Sequence, residues 1–369
     1  MKKLTEKEAI MEFYVGGFWG VTALGFSPDG KKIAAGTCGA VLVGDPDGEL
    51  ALLSFNGKNF RYLDYIIYRT DTVLNIDFSR DGKKILVGTI DNHNLTNISI
   101  YNIENEKLKK ARWVFLKKVE NGIVIAKFSY DQERVIAAVG SNFYIFSLKE
   151  TDPYFGEPKI LAKFEADSSI VSINFLNDKK IGIATIRGKI LFFDLLSIEE
   201  KLEKIRKIRE REIELKEDDV IGVFHEKSGI YLTSISLDGK LAVAGGKSIK
   251  ILSLKSLQKA RGEFIELDEK DVLGEFKYKL RVGISDLNFA PGGKKLIFSS
   301  GCELSSFGGW VKIISLEKIR EGKFCELTAE DIIFEYTNGG ILCAKFLPDG
   351  ERIITGETGR VIRVFDLNQ

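Results

Sequence analysis

Few residues in this sequence are suited to catalysis or metal binding. The 369 residues include 2 histidines, His93 and His225. His93 lies in the stretch DNHN, close to Asp91, and such a pair could bind a metal ion or transfer a proton. No second histidine is near it in the sequence, and Asp and Asn in such stretches commonly stabilise turns. We therefore favour a turn at Asp91–His93 over a metal site. We interpret His225 as a surface residue or a residue at a seam between structural units.

The other candidate motifs are incomplete. The 4 cysteines form no CxxC pair, whereas a zinc site needs about four ligands. Asp45 and Asp47 in GDPDG lack the further oxygen ligands of a calcium loop. The stretch AVAGGKS at 242–248 resembles a phosphate-binding loop, but its spacing is wrong and it lies between two predicted strands. The sequence therefore indicates no catalytic residues, no cofactor and no metal site.

One hairpin phrase recurs and defines the elements that must position any site. FSPDGKKIAAG begins at Phe26, FSRDGKKILVG at Phe78, FAPGGKKLIFS at Phe289 and FLPDGERIITG at Phe346. A second recurring feature is an apolar run that ends in a small polar residue and one more apolar residue. These polar residues are 45 to 62 positions apart along the chain: Ser54, Asn102, Ser147, Asp194, Ser253, Ser315 and Asp366. A period of this length repeated seven times indicates a repeat architecture.

Each unit reads as four short antiparallel strands separated by Asp-Gly or similar turns, which is typical of a propeller blade. FSPDGKKIAAG and VIRVFDL resemble WD-repeat β-propellers, and the resemblance covers all seven units. It implies an all-β, seven-bladed β-propeller of four-stranded antiparallel blades, forming a single domain over residues 1–369. The Gly-His pair of that family is missing, and its Trp-Asp pair survives only as Phe193-Asp194 and Phe365-Asp366. We therefore expect apolar packing between blades to replace the family's buried His–Ser/Thr–Asp–Trp network.

The two ends of the sequence predict how the ring closes. The last unit stops at its third strand, VIRVFDLNQ, while a spare apolar stretch, Ile10–Val15, precedes the first hairpin. Because an unpaired sheet edge is costly, we expect Ile10–Val15 to supply the missing strand of blade 7.

Insertions distinguish units four to six. Three phrases align before the fourth strand, IELKEDDVIGVF, FIELDEKDVLGEF and FCELTAEDIIFEY, and each follows a helix-like stretch. The longest stretch, about 197–212, places apolar residues on one helical face. Two interpretations remain open: these short helical insertions pack on the propeller, or they form a docking surface for a protein partner. The candidate binding residues of the second interpretation are Leu202, Ile205, Arg206 and Arg209.

Loops on the opposite rim form the second candidate site. GGFWGV places two aromatic side chains between glycines, where they could form a contact hot spot or cover a blade seam. The second-to-third connections of units one, two and six are long, and closure would bring these units into one arc. The candidate rim residues are Phe18, Trp19, Asp91, His93, Arg187, Phe307, Trp310 and Arg360.

The composition limits the class of function. With 54 basic and 53 acidic residues, the net charge of +1 gives no general attraction to nucleic acid or anionic membranes. The sequence has no long apolar run or secretion signal, so we expect a cytoplasmic protein, and its charge-rich composition suggests a thermophile. We interpret it as a non-enzymatic protein–protein interaction scaffold, monomeric outside its complex. The alternatives are a propeller enzyme or metal-dependent hydrolase with a site at the channel mouth, or an RNA- or ribosome-associated propeller using the basic residues of 201–211.

Overall fold

A computed structural model shows seven sheets arranged as the blades of a closed ring. It describes residues 2–4, 8–16, 20–38, 47–69, 71–118, 123–151, 158–207, 212–260, 263–278, 284–301, 309–338 and 340–368. The predicted seven-bladed all-β propeller is confirmed.

The strands follow in chain order, and each blade is named by the order of its innermost strand. Before the first hairpin lie β1 (Lys2–Leu4) and β2 (Met11–Tyr14). Blade 1 contains β3 (Val21–Phe26), β4 (Lys32–Thr37), β5 (Asp47–Phe55) and β6 (Phe60–Arg69). Blade 2 contains β7 (Thr72–Phe78), β8 (Lys84–Ile90), β9 (Leu95–Glu104) and β10 (Lys107–Lys118). Blade 3 contains β11 (Val124–Phe128), β12 (Arg134–Val139), β13 (Asn142–Thr151) and β14 (Pro158–Glu165).

The later blades carry additional short elements. Blade 4 contains β15 (Ile170–Phe175), β16 (Lys180–Thr185), β17 (Lys189–Asp194) and β19 (Val220–His225), with α1 (Leu195–Lys207) and β18 (Ile213–Glu214) inserted. Blade 5 contains β20 (Leu232–Ile235), β21 (Lys240–Gly245), β22 (Ser248–Ser253) and β24 (Val272–Lys277), with α2 (Lys255–Lys259) and β23 (Ile265–Leu267) inserted. Blade 6 contains β25 (Asp286–Phe289), β26 (Lys295–Ser300), β27 (Gly309–Ser315) and β29 (Ile332–Asn338), with β28 (Cys325–Leu327) inserted. Blade 7 contains β30 (Ile341–Phe346), β31 (Arg352–Glu357) and β32 (Val361–Asp366).

The recurring hairpin phrase forms the same hydrogen-bonded turn in several blades. In blade 1 the Ser27 hydroxyl donates to Asp29 at 2.6 Å and accepts the N–H of Lys32 at 2.9 Å. Blade 2 repeats both bonds through Ser79, at 2.6 and 2.8 Å. Side chains thus satisfy the turn's backbone groups, which explains why the Ser-x-Asp spacing returns along the sequence.

The N-terminal strand closes the ring as predicted. Strand β2 pairs antiparallel with β32, with Met11 opposite Val364, and the N–H of Ile10 donates to the carbonyl of Val364 at 2.9 Å. Phe13 of β2 packs against Phe60 of blade 1, with ring centroids 5.4 Å apart. Residues more than 340 positions apart in sequence therefore share one sheet.

Four neighbouring blades carry a fifth strand that the repeat did not predict. Strands β18, β23, β28 and β1 pair in parallel with the outer strands of blades 3, 4, 5 and 6, respectively. The first three come from the insertion of the next blade along the chain. A Cβ atom on Gly222 would lie only 2.8 Å from the carbonyl oxygen of Ile265, so glycine permits this close approach. The insertions therefore join each blade to its predecessor.

An aspartate shared by the three aligned phrases closes the turn after each fifth strand. The carboxylate of Asp219 accepts the N–H of Lys216 at 2.9 Å, and Asp331 accepts that of Thr328 at 2.9 Å. In both blades a 3-10 helix, Glu217–Asp219 or Ala329–Asp331, leads into the outer strand.

The helical insertions agree with the sequence in blade 4 and less fully in blade 6. Helix α1 begins at Leu195, two residues before the predicted start, and residues 208–211 lie outside the described part. Helix α2 is a single turn. The buried Lys180 donates hydrogen bonds to the carbonyl of Leu257 in α2 and to that of Ala260, the residue after the helix, at 2.7 Å each. The LEKIREG stretch of blade 6 forms turns instead of an α-helix. Within the described residues, no helix is long and apolar enough to cross a membrane.

The interior is mostly apolar between blades, and blade 7 adds a buried polar cluster. The side chain of Glu357 is buried, and its carboxylate accepts hydrogen bonds from Thr355 at 2.7 Å and Asn338 at 2.5 Å. Arg363 pairs with Glu357 and with Glu12 of the closing strand, the latter at 2.9 Å. Burial raises the pKa of the Glu357 carboxyl despite these partners. Apolar packing between blades 6 and 7 is present as expected, and a buried polar cluster that we did not predict also joins them.

Candidate interaction surfaces

A groove of about 710 Å³ lies on the outer flank of the ring between blades 3 and 4. We call it the flank groove. Its apolar lining comes from Tyr144 and Phe164 of blade 3 and from Leu191 and Val223 of blade 4. Phe264, which precedes β23, also lines the groove although 58% of its surface is exposed. The groove can therefore accept apolar side chains from a ligand.

The insertion of blade 4 supplies part of the same groove. Residues Glu214, Leu215, Lys216 and Glu217, at the end of β18 and the following turn, line it. Leu215 is 3% exposed and anchors this segment in the core between blades 3 and 4. The insertions that distinguish blades 4 and 5 in the sequence therefore meet at one concave surface.

Two ion pairs lie at the flank groove. Lys189 lies 3.1 Å from Asp167, and Lys163 lies 2.9 Å from Glu212. Burial raises the pKa of the Asp167 carboxyl, but hydrogen bonds and charge from Lys189 outweigh it and hold that pKa below its usual range. Lys117 donates to the Tyr144 hydroxyl. Balanced charge of this kind suits a protein segment better than a phosphate backbone.

Helix α1 packs on the propeller through the face predicted from its spacing. Ile198 and Leu202 are 3% and 7% exposed and belong to the core between blades 3 and 4, and Glu199 pairs with Arg134 at 2.5 Å. Leu202 therefore packs in this core, although it also lines a cleft beside Lys149, and its binding role stays a prediction.

The structure does not describe the side chains of the remaining insertion candidates. The backbone of Ile205 and Arg206 belongs to α1, but their side chains lie outside the described part of the structure. Arg209 lies outside the described residues altogether.

The described rim candidates come from different blades and lie on one side of the ring. Asp91 accepts the N–H groups of His93 and Leu95 at 2.8 Å each, so it forms the predicted turn. Arg187 and Arg360 are exposed at the second-to-third connections of blades 4 and 7. Phe18, Trp19 and Phe307 lie outside the described residues.

Trp310 packs into blade 6. Its ring lies 5.5 Å from that of Phe298 in an edge-on arrangement, and the Lys312 ammonium is 5.3 Å from the Trp310 ring. These contacts give Trp310 a structural role at the seam between blades 5 and 6, where it packs against the apolar core.

The central channel contains a set of polar residues that the sequence analysis missed. Asp77, Asp286, Lys127 and Lys345 lie on the innermost strands of blades 2, 6, 3 and 7, and burial raises the pKa of both carboxyl groups. Burial also lowers the pKa of Lys127. A sequence pattern marks three of these positions. Each of Asp77, Lys127 and Lys345 immediately precedes the aromatic residue that ends its strand.

These channel side chains mostly bind the backbone of the next blade. Asp77 accepts the N–H of Phe128 at 2.8 Å, and Asp286 accepts that of Ala344 at 3.2 Å. Lys345 donates to the carbonyl of Leu24 at 2.6 Å. These hydrogen bonds stabilise the ring, so the two inward carboxylates have a structural role that requires no catalytic one. Across the described residues, no group of three His, Cys, Asp or Glu side chains is placed to hold a metal ion.

The fold and these surfaces define the class: the chain is a WD40-type seven-bladed β-propeller. The profile of the WD domain, G-beta repeat, matches residues 331–366. The WD40 β-propeller domain of Doa1 superposes with a TM-score of 0.62 at 14% identity, covering 97% of this chain and 96% of that one. The C-terminal WD40 domain of Sif2 gives 0.57 at 13%, covering 96% and 97%. Raptor from Chaetomium thermophilum gives 0.63 at 12%, covering 97% of this chain and 28% of Raptor.

The chain belongs to the family of unknown function DUF5711, whose profile matches residues 31–267. That match runs from the second strand of blade 1 to β23 in the insertion of blade 5. No curated protein sequence matches the chain. At 12–14% identity the solved structures establish the fold and leave the function to be inferred from the surfaces of this molecule.

Proposed function

We propose that this protein is a non-enzymatic interaction scaffold that binds a segment of a protein partner in the flank groove. The observation that carries the proposal is the groove itself. It combines an apolar lining, paired charges and an exposed aromatic residue, Phe264, at the place where the insertions of blades 4 and 5 meet. Exposed aromatic residues at such positions frequently dominate binding energy.

The rigidity of the surrounding structure supports this function. Strand β18 ties the groove's edge to blade 3 and β23 ties the next insertion to blade 4. Because these elements are already ordered, a partner loses little free energy in ordering them on binding.

The alternatives receive less support from the described residues. The channel carboxylates Asp77 and Asp286 bind neighbouring backbone, so they offer no free acid–base pair for an enzyme. Lys201, in the basic stretch considered for RNA, pairs with Asp219. A single domain over residues 1–369, a cytoplasmic location and a monomeric state outside the complex remain parts of this proposal that rest on the sequence.

A matched pair of exposed phenylalanines tests the proposal. Phe264 and Phe324 precede equivalent fifth strands and are 58% and 56% exposed, but only Phe264 lines the flank groove. The tagged protein should retain a stoichiometric protein partner from cells of its source organism. Phe264→Ala should weaken that binding at least about tenfold, as loss of a hot-spot side chain does, and Phe324→Ala should leave it unchanged. Equal retention by both variants would place the site elsewhere, and failure to retain any partner would contradict the scaffold function.

A further inference from the structure

The outer edges of the blades are protected unequally. Blades 3 to 6 each have their outer strand covered by a short parallel strand from elsewhere in the chain. Within the described residues, blades 7, 1 and 2 have no such strand, so their outer strands are β2, β6 and β10. Exposed strand edges are sites of intermolecular pairing unless they are short, charged or covered.

Two of these three edges carry such protection. Strand β2 has only 4 residues. Strand β10 is rich in positive charge, with Lys107, Lys109, Lys110 and Lys118 exposed. Short length and lysine residues both discourage the addition of another strand.

Strand β6 is protected along only part of its length. It has 10 residues, and its first half lies beside the β9–β10 hairpin. There Asp64 accepts the N–H of Leu108 at 2.7 Å, and Arg61 pairs with Glu106 at 2.7 Å. Beyond it, the stretch Tyr65–Tyr68 has no charged residue and exposes 51% of Tyr65 and 52% of Ile67, and the charged residue Arg69 ends the strand.

The open stretch of β6 overlaps the position that fifth strands occupy in other blades. In blade 4 the fifth strand pairs with Gly222–Phe224, and Gly222 lies opposite Phe192, two residues before the anchor Asp194. In blade 1 Asp64 lies opposite Leu52, two residues before the anchor Ser54. Residues 64–66 of β6 thus correspond to 222–224 of β19.

We propose that the Tyr65–Tyr68 edge takes up a short extended segment of a protein partner as a parallel fifth strand. The chain itself shows the chemistry of such a segment. Two of its own fifth strands, Ile265–Leu267 and Cys325–Leu327, place a glutamate between apolar residues and end in a leucine that is 3% exposed. The third case, Ile213–Glu214, is also followed by a buried leucine. The fourth fifth strand, Lys2–Leu4, shares only the final leucine. The three strands that come from insertions therefore define the pattern of the partner segment as apolar–acidic–leucine.

This inference rests on the proposed function for the existence of a protein partner, but it assigns a different surface. A direct test uses a fluorescent peptide with the sequence of residues 263–269, EFIELDE, titrated into the full-length protein and followed by anisotropy. We expect saturable binding that Ile67→Lys weakens at least tenfold. Tyr14→Lys, which changes an equally exposed residue on β2, should leave the affinity unchanged; Tyr14 is 61% exposed. A peptide N-methylated at alternate residues should not bind, because it cannot form the ladder.

Several results would overturn the assignment. They are the absence of peptide binding, equal binding by the wild type and Ile67→Lys, and a wild-type dimer in sedimentation that Ile67→Lys abolishes. The last result would show that a second copy of this chain pairs with the β6 edge. Tyr65→Lys serves as a second edge variant if Ile67→Lys does not fold. A partner that depends on Phe264 but is retained by Ile67→Lys would leave the flank-groove function intact and remove only this inference.

Discussion

The close approach of β23 to Gly222 gives a sharp test of the fifth strands. In Gly222→Ala the new Cβ would lie 2.6 Å from Leu257 Cδ2 and 2.8 Å from the Ile265 carbonyl oxygen. An ordinary carbon–oxygen contact is about 3.3–3.6 Å, so β23 must move outward by roughly 0.5 Å or more. Overpacking of this kind costs about 1–3 kcal/mol, and each weakened hydrogen bond adds about 0.5–1.5 kcal/mol.

We therefore expect Gly222→Ala to lower the free energy of unfolding by about 2–3 kcal/mol. With an unfolding entropy of about 2.1 cal/mol/K per residue, the melting temperature should fall by about 3–4 °C for cooperative unfolding of the chain. Gly292→Ala is the matched control, because nothing lies within 4 Å of its Cβ position. It should be neutral or stabilise by up to about 1 kcal/mol.

Calorimetry measures the shift, and hydrogen exchange locates it. Amide protection at Ile265–Leu267 should fall in Gly222→Ala and stay unchanged in Gly292→Ala. Equal melting temperatures for the two variants, or unchanged exchange at β23, would refute the argument that Gly222 lets β23 lie this close to blade 4.

Two further predictions concern ring closure and pH. Phe13→Ala should lower the free energy of unfolding in urea by about 2–3 kcal/mol, because Phe13 packs on two aromatic rings of blade 1. Tyr14→Ala, at an exposed neighbour, should change it by no more than about 0.5 kcal/mol. Equal effects of the two substitutions would contradict the role of Phe13 in closing the ring. Burial raises the pKa of the Glu226 carboxyl, but hydrogen bonds from Ser228 and Lys250 outweigh it and hold that pKa below its usual value. Glu226 thus stabilises the fold above the ordinary glutamate pKa of about 4.3, and this contribution is lost as pH falls through the lower native pKa. Glu226→Gln should reduce stability by about 1–2 kcal/mol at pH 7 and by progressively less in acid unfolding series; a loss independent of pH would contradict this role.

Because its units repeat, the architecture of this protein could be predicted from the sequence. Hairpin phrases and anchor residues gave seven blades, and a missing last strand matched by the spare stretch Ile10–Val15 gave the closure. These features are encoded locally, by turn residues and strand alternation, and they recur often enough to be recognised. Helix α1 was recognised for the same reason, because its apolar spacing is local.

Features that depend on contacts between blades were less readable. A fifth strand of two or three residues has no period of its own, although the repeated Glu-Leu of the aligned phrases marked its position. Leu202 looked equally suited to packing or binding, since helical spacing does not show what covers a face. The hydrogen bond from Asn338 to Glu357 joins blades 6 and 7, so it likewise depends on which blades become neighbours.

The borrowed strands impose an order on biosynthesis. Blade 3 gains its last strand, β18, only after the chain has continued into blade 4, and blades 4 and 5 wait in the same way for β23 and β28. Strands β1 and β2 are synthesised before the blades and remain without these partners until β29 and β32 emerge. A nascent chain stalled before β32 would therefore expose the two edges that later join, so a chaperone has these edges to protect until β32 emerges.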